Sequence, residues 1–196
     1  MPNIEKKNVA LIAIIAVLAA TLFVTVLTRN SDDDAMGMHH GASSSSSYTG
    51  ADVMFLQMMI PHHQQAIDIS NLALKVSQDP ELRALATTIR DAQSAEILQM
   101  KAWLNDAGAG TDMGHSMDGM GGMLDDKELA DLSAATGTTF DKLWLKGMIG
   151  HHDGAVHMTT MIKDASNPAI KAFGEKVVKD QSAQIVQMEA MLKRIK

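Results

Sequence analysis

The segment MMIPHHQQAI at residues 58 to 67 returns as GMIGHHDGAV at 147 to 156, and each copy carries a methionine, two adjacent histidines and an alanine at one spacing. On an α-helix successive residues turn by about 100°. With Met59 at zero, His62 falls about 60° to one side, His63 about 40° to the other, and Ala66 about 20° off the same axis one turn on. A soft thioether and two imidazoles then converge on a gap left open by the small alanine, a donor set suited to a transition metal. Met148, His151, His152 and Ala155 repeat the arrangement. Packing is the competing explanation, since methionine fills irregular core gaps and a helical histidine is often satisfied by protein groups. It accounts for one cluster more easily than for two, because each buried imidazole without a partner costs roughly 1 to 3 kcal/mol.

Further donors surround the repeated phrase. QSAEILQM at 93–100 returns as QSAQIVQM at 181–188. On a helix Ile89, Ala92, Glu96, Met100 and Trp103 share one face, which places Glu96 on an apolar stripe where an ionised carboxylate needs a partner. Gln184 is its counterpart, followed four residues on by Met188. Gln93, Glu96, Gln181 and Gln184 are therefore expected to orient the imidazoles by hydrogen bonds. Direct ligation by Glu96, or its pairing with a Lys or Arg at the bundle surface, are the alternatives.

Residues 107–126, AGAGTDMGHSMDGMGGMLDD, form a glycine-rich loop with Met113, His115, Met117, Met120 and Met123. Exposed methionines bury nothing, so packing explains them only if the loop folds back on the bundle. Thioethers with an imidazole on a pliable backbone suit Cu(I), with Ag(I) as a competitor of equal softness. Met36, Met38, His39 and His40 in the serine-rich stretch 29–50 read as weak capture groups on a tether or as polar filler. Met58, His157, Met158 and Met161 complete the additional candidates, although His157 points away from the Met148 cradle.

The elements that must hold these groups are helices. The chain has 196 residues, 46% of them hydrophobic and 4% aromatic, with net charge −6, which fits one small helical domain with appendages and gives no attraction for nucleic acid. No phosphate-binding glycine loop is present. Residues 9–28 are uncharged and apolar, and about 20 such residues span the roughly 30 Å hydrocarbon core of a bilayer. Lys6 and Lys7 precede the run while Asp32, Asp33 and Asp34 follow it. This places residues 1–8 in the cytoplasm and the rest outside a cell membrane crossed once. A cleaved secretory signal is the rival reading, but no A-x-A-like site follows. With no cysteine, soft-metal chemistry must come from Met sulfur and His nitrogen, neither of which is lost to disulfide formation outside the cell.

Residues 51–196 contain two related helix pairs, about 51–104 and 125–192, with His62 and His151 offset by 89 positions and Pro80 and Pro168 by 88. Neither pair can bury its apolar face alone, so the expected fold is all-α, a four-helix bundle of two repeated pairs. Gln57, Gln64, Asp68, Asn71 and Lys75 make one narrow polar stripe on the first helix, which turns His62 and His63 inward or toward a neighbour. Pro61, and Gly150 at the matching place, suggest a kink or a late helix start at the site.

The repeated HHxxA motif, the methionine before each copy and the later QSA helix closely resemble the family known as domain of unknown function 305, which includes CopM-like exported copper-binding proteins. The resemblance spans about Ala51 to Leu192. It implies a ferritin-like bundle that binds copper through Met and His, at Met59, His62, His63, Met148, His151 and His152, with a role in copper sequestration, trafficking or resistance. Cu(I) is favoured, and Cu(II) fits where nitrogen and oxygen donors dominate. The expected partners are the metal, the membrane through residues 9–28, a copper exporter or another copper protein, and a second copy through the wide apolar face of the first helix. Two other classes stay open: a metal-dependent redox enzyme, which the absence of any Glu-x-x-His disfavours for a di-iron centre, and a structural helical adaptor.

Overall fold

The structure, a computed structural model, describes residues 48–112 and 121–195, and every regular element in them is helical. Residues 9–28, the four Met and His residues of the linker, and Met113, His115, Met117 and Met120 lie outside the described residues. Among the described residues no helix is long and apolar enough to cross a membrane.

Helix α1 runs Gly50–Val76, α2 Pro80–Asp106, α3 Asp126–Ala134, α4 Gly137–Met158 and α5 Pro168–Arg194, with a one-turn 3₁₀ helix at Thr159–Ile162. Local chemistry sets the boundaries. Thr49 and Asp52 satisfy each other's backbone N–H in a capping box that starts α1. Asp79 before Pro80 and Asn167 before Pro168 cap α2 and α5 alike, each side chain accepting from the first free N–H groups while the proline ring is pre-set for the first turn. The repeat thus extends to its caps. The late start expected at Pro61 does not occur: α1 begins eleven residues earlier and continues through the proline, held by its buried face on both sides of the missing N–H. The short α3, capped by Asp125 and Glu128, is an addition to the second pair that its weak apolar pattern concealed.

Each pair is a helical hairpin, α1 with α2 and α4 with α5, and the two hairpins meet through α1 and α4. These two helices cross antiparallel. His62 lies against His151, and seven residues further along α1 the Ile69 carbonyl accepts from the Trp144 indole at 3.0 Å, seven residues back along α4. Helices α2 and α5 touch through side chains: Trp103 edge-on to Phe173, Glu96 with Lys176, and Arg194 with Asp79.

The core is split in two. One apolar cluster includes Ala66, Ile69, Leu82, Ile89, Phe140, Trp144, Met148 and Met188; the other includes Phe55, Met59, Ile97, Met100, Ala155, Ile170, Phe173 and Val177. In each of the four long helices the polar residues fall between the two clusters: His62 and His63, Gln93 and Glu96, His151 and His152, Gln181 and Gln184. A polar layer therefore crosses the middle of an otherwise apolar bundle.

Candidate metal centre

The two copies of the Met and His-His phrase face each other across the α1/α4 crossing. The His62 and His151 rings stack with centroids 3.8 Å apart and planes 40° apart. His63 and His152 stand outward from this pair, 6.5 Å from His62 and 6.4 Å from His151. None of the four rings reaches solvent. Burial on this scale follows from the helical phase, since the polar stripe of α1 lies on the opposite side.

The outer rings are held by matching residues of the two partner helices. His63 Nε2 lies 2.9 Å from Glu96 Oε2, and His152 Nε2 lies 2.7 Å from Gln184 Oε1. Both oxygens only accept, so Nε2 carries the proton in each ring and Nδ1 is left as the lone-pair nitrogen. Glu96 has a second partner, Lys176 Nζ at 2.6 Å, and Lys176 also reaches Asp180 at 3.0 Å. The carboxylate thus meets a histidine inside and a lysine outside at once. Lys176, half-exposed on α5, carries no motif that would have marked it in the sequence.

The rest of the layer is unsatisfied. Among the described residues no hydrogen-bond partner exists for either nitrogen of His62 or His151, for Nδ1 of His63 or His152, or for Oε1 of Gln93 or Gln181. Orphaned polar atoms in a core cost of order 1 to 3 kcal/mol each, and their concentration in one layer marks a place built to receive something. Burial drives the His62 imidazolium down to about 3, aided by the neighbouring His63, while the Gly121 backbone opposes this without completing a hydrogen bond. Burial and then His62 hold His151 well below the ordinary histidine range. Burial lowers His152 to about 4 against the opposing bond to Gln184. Burial alone would raise Glu96, but the bond from His63 and the Lys176 ammonium hold its carboxyl below the usual range. His62, His151 and His152 are therefore neutral at neutral pH, the form in which imidazole ligates metal.

The methionines are distributed differently from the three-residue cradle expected on a single helix. Met59 and Met148 are fully buried in opposite clusters, Met59 with Ala155 of the other copy and Met148 with Ala66. Each methionine thus shares its apolar cluster with the alanine of the opposite copy rather than with that of its own. Met158 is buried with Met59, Met58 and Met161 are partly buried around the same cluster, and Met123 is half-buried in the loop before α3. His157 is exposed on the outer side of α4. Among the described residues no three His, Asp or Glu side chains are gathered as a ready metal cage. The rings stand as a stacked pair with two flanking partners, with lone-pair nitrogens available on each.

The model of the family called domain of unknown function DUF305 matches residues 52–192, a span that takes in both histidine pairs, both partner helices and the loop. The chain belongs to the DUF305 family. A DUF305 protein from Streptomyces coelicolor, provisionally described as secreted, is 28% identical with a TM-score of 0.69, covering 77% of this chain and 95% of that one. A DUF305 fragment from Deinococcus radiodurans is 34% identical with a TM-score of 0.70, covering 74% and 97%. CopM in its Cu(I)-bound form is 32% identical with a TM-score of 0.62, covering 76% of this chain and 98% of CopM. CopM is also known in Cu(II)-bound, silver-bound and apo forms of the same fold. A 55-residue stretch is 38% identical to the uncharacterized protein L153 of Acanthamoeba polyphaga mimivirus, and spans only 36% of that protein's length.

Proposed function

We propose that this DUF305 protein is an extracytoplasmic copper-binding protein, held at the cell membrane by residues 9–28, that sequesters or traffics copper through Met and His sites. The observation that carries the reading is the buried layer of four histidines with six orphaned ring nitrogens, three of the rings held neutral by burial. The donors fit the cargo. Imidazoles suit copper in either oxidation state, and thioethers add a preference for Cu(I). The likeness to CopM in its copper-bound and silver-bound forms supports the same metal class here.

Within this reading His63 and His152 are ligands through Nδ1, because Glu96 and Gln184 hold the Nε2 protons and fix the ring orientations. His62 and His151 have both nitrogens free and turn about their side-chain bonds to complete the set. Gln93 and Gln181 supply acceptors for whichever of their N–H groups faces away from the metal. Met59 and Met148 border the layer from the two apolar clusters, one on each side. Met113, His115, Met117, Met120 and Met123 in the loop, and Met36, Met38, His39 and His40 in the linker, are assigned to additional capture of copper before it reaches the bundle. An ordered bundle with a soft-donor tether suits storage or handover to a copper exporter or another copper protein.

The test is calorimetric titration of the full chain with Cu(I), paired with copper-edge absorption spectroscopy to count nitrogen and sulfur ligands. His62→Gln, His63→Gln, His151→Gln and His152→Gln combined should abolish the nitrogen-rich sites while the sulfur-rich ones of the loop and linker persist. Unchanged stoichiometry and nitrogen ligation in a variant that keeps its helical circular dichroism would refute the assignment.

A further inference from the structure

A layer with no exposed histidine needs an entrance, and among the described residues a non-helical stretch lies across the helices that carry it. The stretch Gly121–Leu124 crosses the outer side of the α1/α4 seam in extended and turn conformation, with Gly121 and Gly122 exposed. It rests on α4 at a row of glycines. A Cβ on Gly154 would collide with the Gly121 carbonyl, one on Gly122 would collide with the Gly150 carbonyl, and one on Gly147 would press the Leu124 side chain at 3.0 Å. Gly122 also has φ +86, a conformation few other residues adopt. Each glycine inside a helix costs up to about 1 kcal/mol relative to alanine; the seated backbone supplies the reason for Gly154, and the Leu124 side chain that for Gly147, while a Cβ on Gly150 would meet nothing.

The other half of the seat is Gln65 on α1. Its Nε2 donates to the Leu124 carbonyl at 2.9 Å and its Oε1 accepts from the Leu124 N–H at 2.8 Å. Gln65 occupies in the first copy the position that Gly154 occupies in the second, each three residues beyond the stacked histidine and about 60° round the helix from it. One strap is thus gripped at two equivalent points, one on each side of the His62–His151 stack.

We propose that Gly121–Leu124 is a detachable cover over the histidine layer, and that a cation reaches the rings when the strap leaves Gln65 and the α4 glycines. The purpose of the cover rests on the metal-binding reading of the layer; its existence as a cover does not. Compared with the hairpins, which each bury a continuous apolar face, the strap is held by two hydrogen bonds, a backbone seat and the Leu124 side chain, which makes it the element that opens at lowest free energy. Met123, half-buried, rides on it, so the cover itself carries a soft donor.

Diethyl pyrocarbonate modification of the metal-free full chain, resolved by peptide mass spectrometry, reads the cover directly, with exposed His157 as the internal reference. The four layer histidines should react at least about tenfold more slowly than His157. Gln65→Leu and Gly154→Ala, which release the strap from opposite sides, should each raise the layer rates, Gln65→Leu by about tenfold, the order expected for two net hydrogen bonds lost, and Gly154→Ala through the collision of its Cβ with the Gly121 carbonyl. Hydrogen exchange at Gly122 to Leu124 should rise in parallel. The proposal is overturned if exchange rises and the histidines stay protected, if neither changes, or if Lys176→Met opens the layer while the strap variants do not. Stopped-flow uptake of Ag(I) should accelerate by a similar factor in both strap variants. Failure of the protein to take up Ag(I) at all would sink the metal reading, and the reagent rates would still decide the cover.

Discussion

Acid should destabilise the metal-free bundle by an amount set by its buried rings. His62 and His152 are lowered to about 3 and about 4, and His151 falls well below its ordinary value, all chiefly because burial penalises the cation. An unfolded histidine titrates near 6.5, so below that pH the unfolded chain binds protons that the folded rings refuse. Stability is therefore full above about pH 6.5 and declines as pH falls toward the folded values near 3 and 4. Between pH 7.5 and 5.5 each such ring costs on the order of 1 kcal/mol, and the three together a few kcal/mol, against a typical domain stability of about 5 to 15 kcal/mol. Glu96, lowered by His63 and Lys176 against the effect of burial, adds its own loss only at lower pH, in the carboxylate range. The assay is urea unfolding of the metal-free chain followed by far-ultraviolet circular dichroism at the two pH values. His151→Gln should remove about a third of the pH effect. A pH-dependent loss below about 1 kcal/mol would refute the reasoning, since it would mean that the rings are solvated or paired in the folded state.

Glu96→Gln should copy the His152–Gln184 arrangement into the first repeat, keep the fold with Lys176 still on Asp180, and weaken copper binding at His63 by about tenfold; equal affinity in competition titrations would show that the carboxylate does not tune the ring. Trp144→Phe removes the indole bond to the Ile69 carbonyl and part of a fully buried ring, and should lower unfolding free energy by about 2 kcal/mol, read from the urea midpoint. Thr49→Ala breaks the capping box of α1 and should cost about 1 kcal/mol, with faster hydrogen exchange confined to the first turn.

The helical class and the two hairpins were legible because each rests on neighbours in sequence: the matching Pro80 and Pro168, the repeated QSA segment, and apolar residues at helical spacing. The inward turn of His62 and His63 followed from the polar stripe on the other side of α1. Other features were illegible for a common reason. Met59 and Met148 suggested a cradle within one helix, and nothing in that helix marks that each shares its apolar cluster with the alanine of the opposite copy, Ala155 or Ala66. The Glu96 partner on α5 could be anticipated as a Lys or Arg but not located. Gln65 sat unnoticed inside the HHQQA phrase, because its role depends on a backbone 59 residues downstream.

The sequence by itself determined that two copies of a Met and His-His phrase would lie on helices, with His62 and His63 turned away from the polar stripe toward the bundle or a neighbour, since periodicity is a local property of the chain. Only the tertiary structure decided that the copies oppose each other with His62 stacked on His151, making one shared layer where two separate sites were equally consistent with the repeat. The physical reason is that the crossing of α1 and α4 is chosen by the packing of two apolar clusters on either side of that layer. No periodicity within a single helix records which way its partner runs.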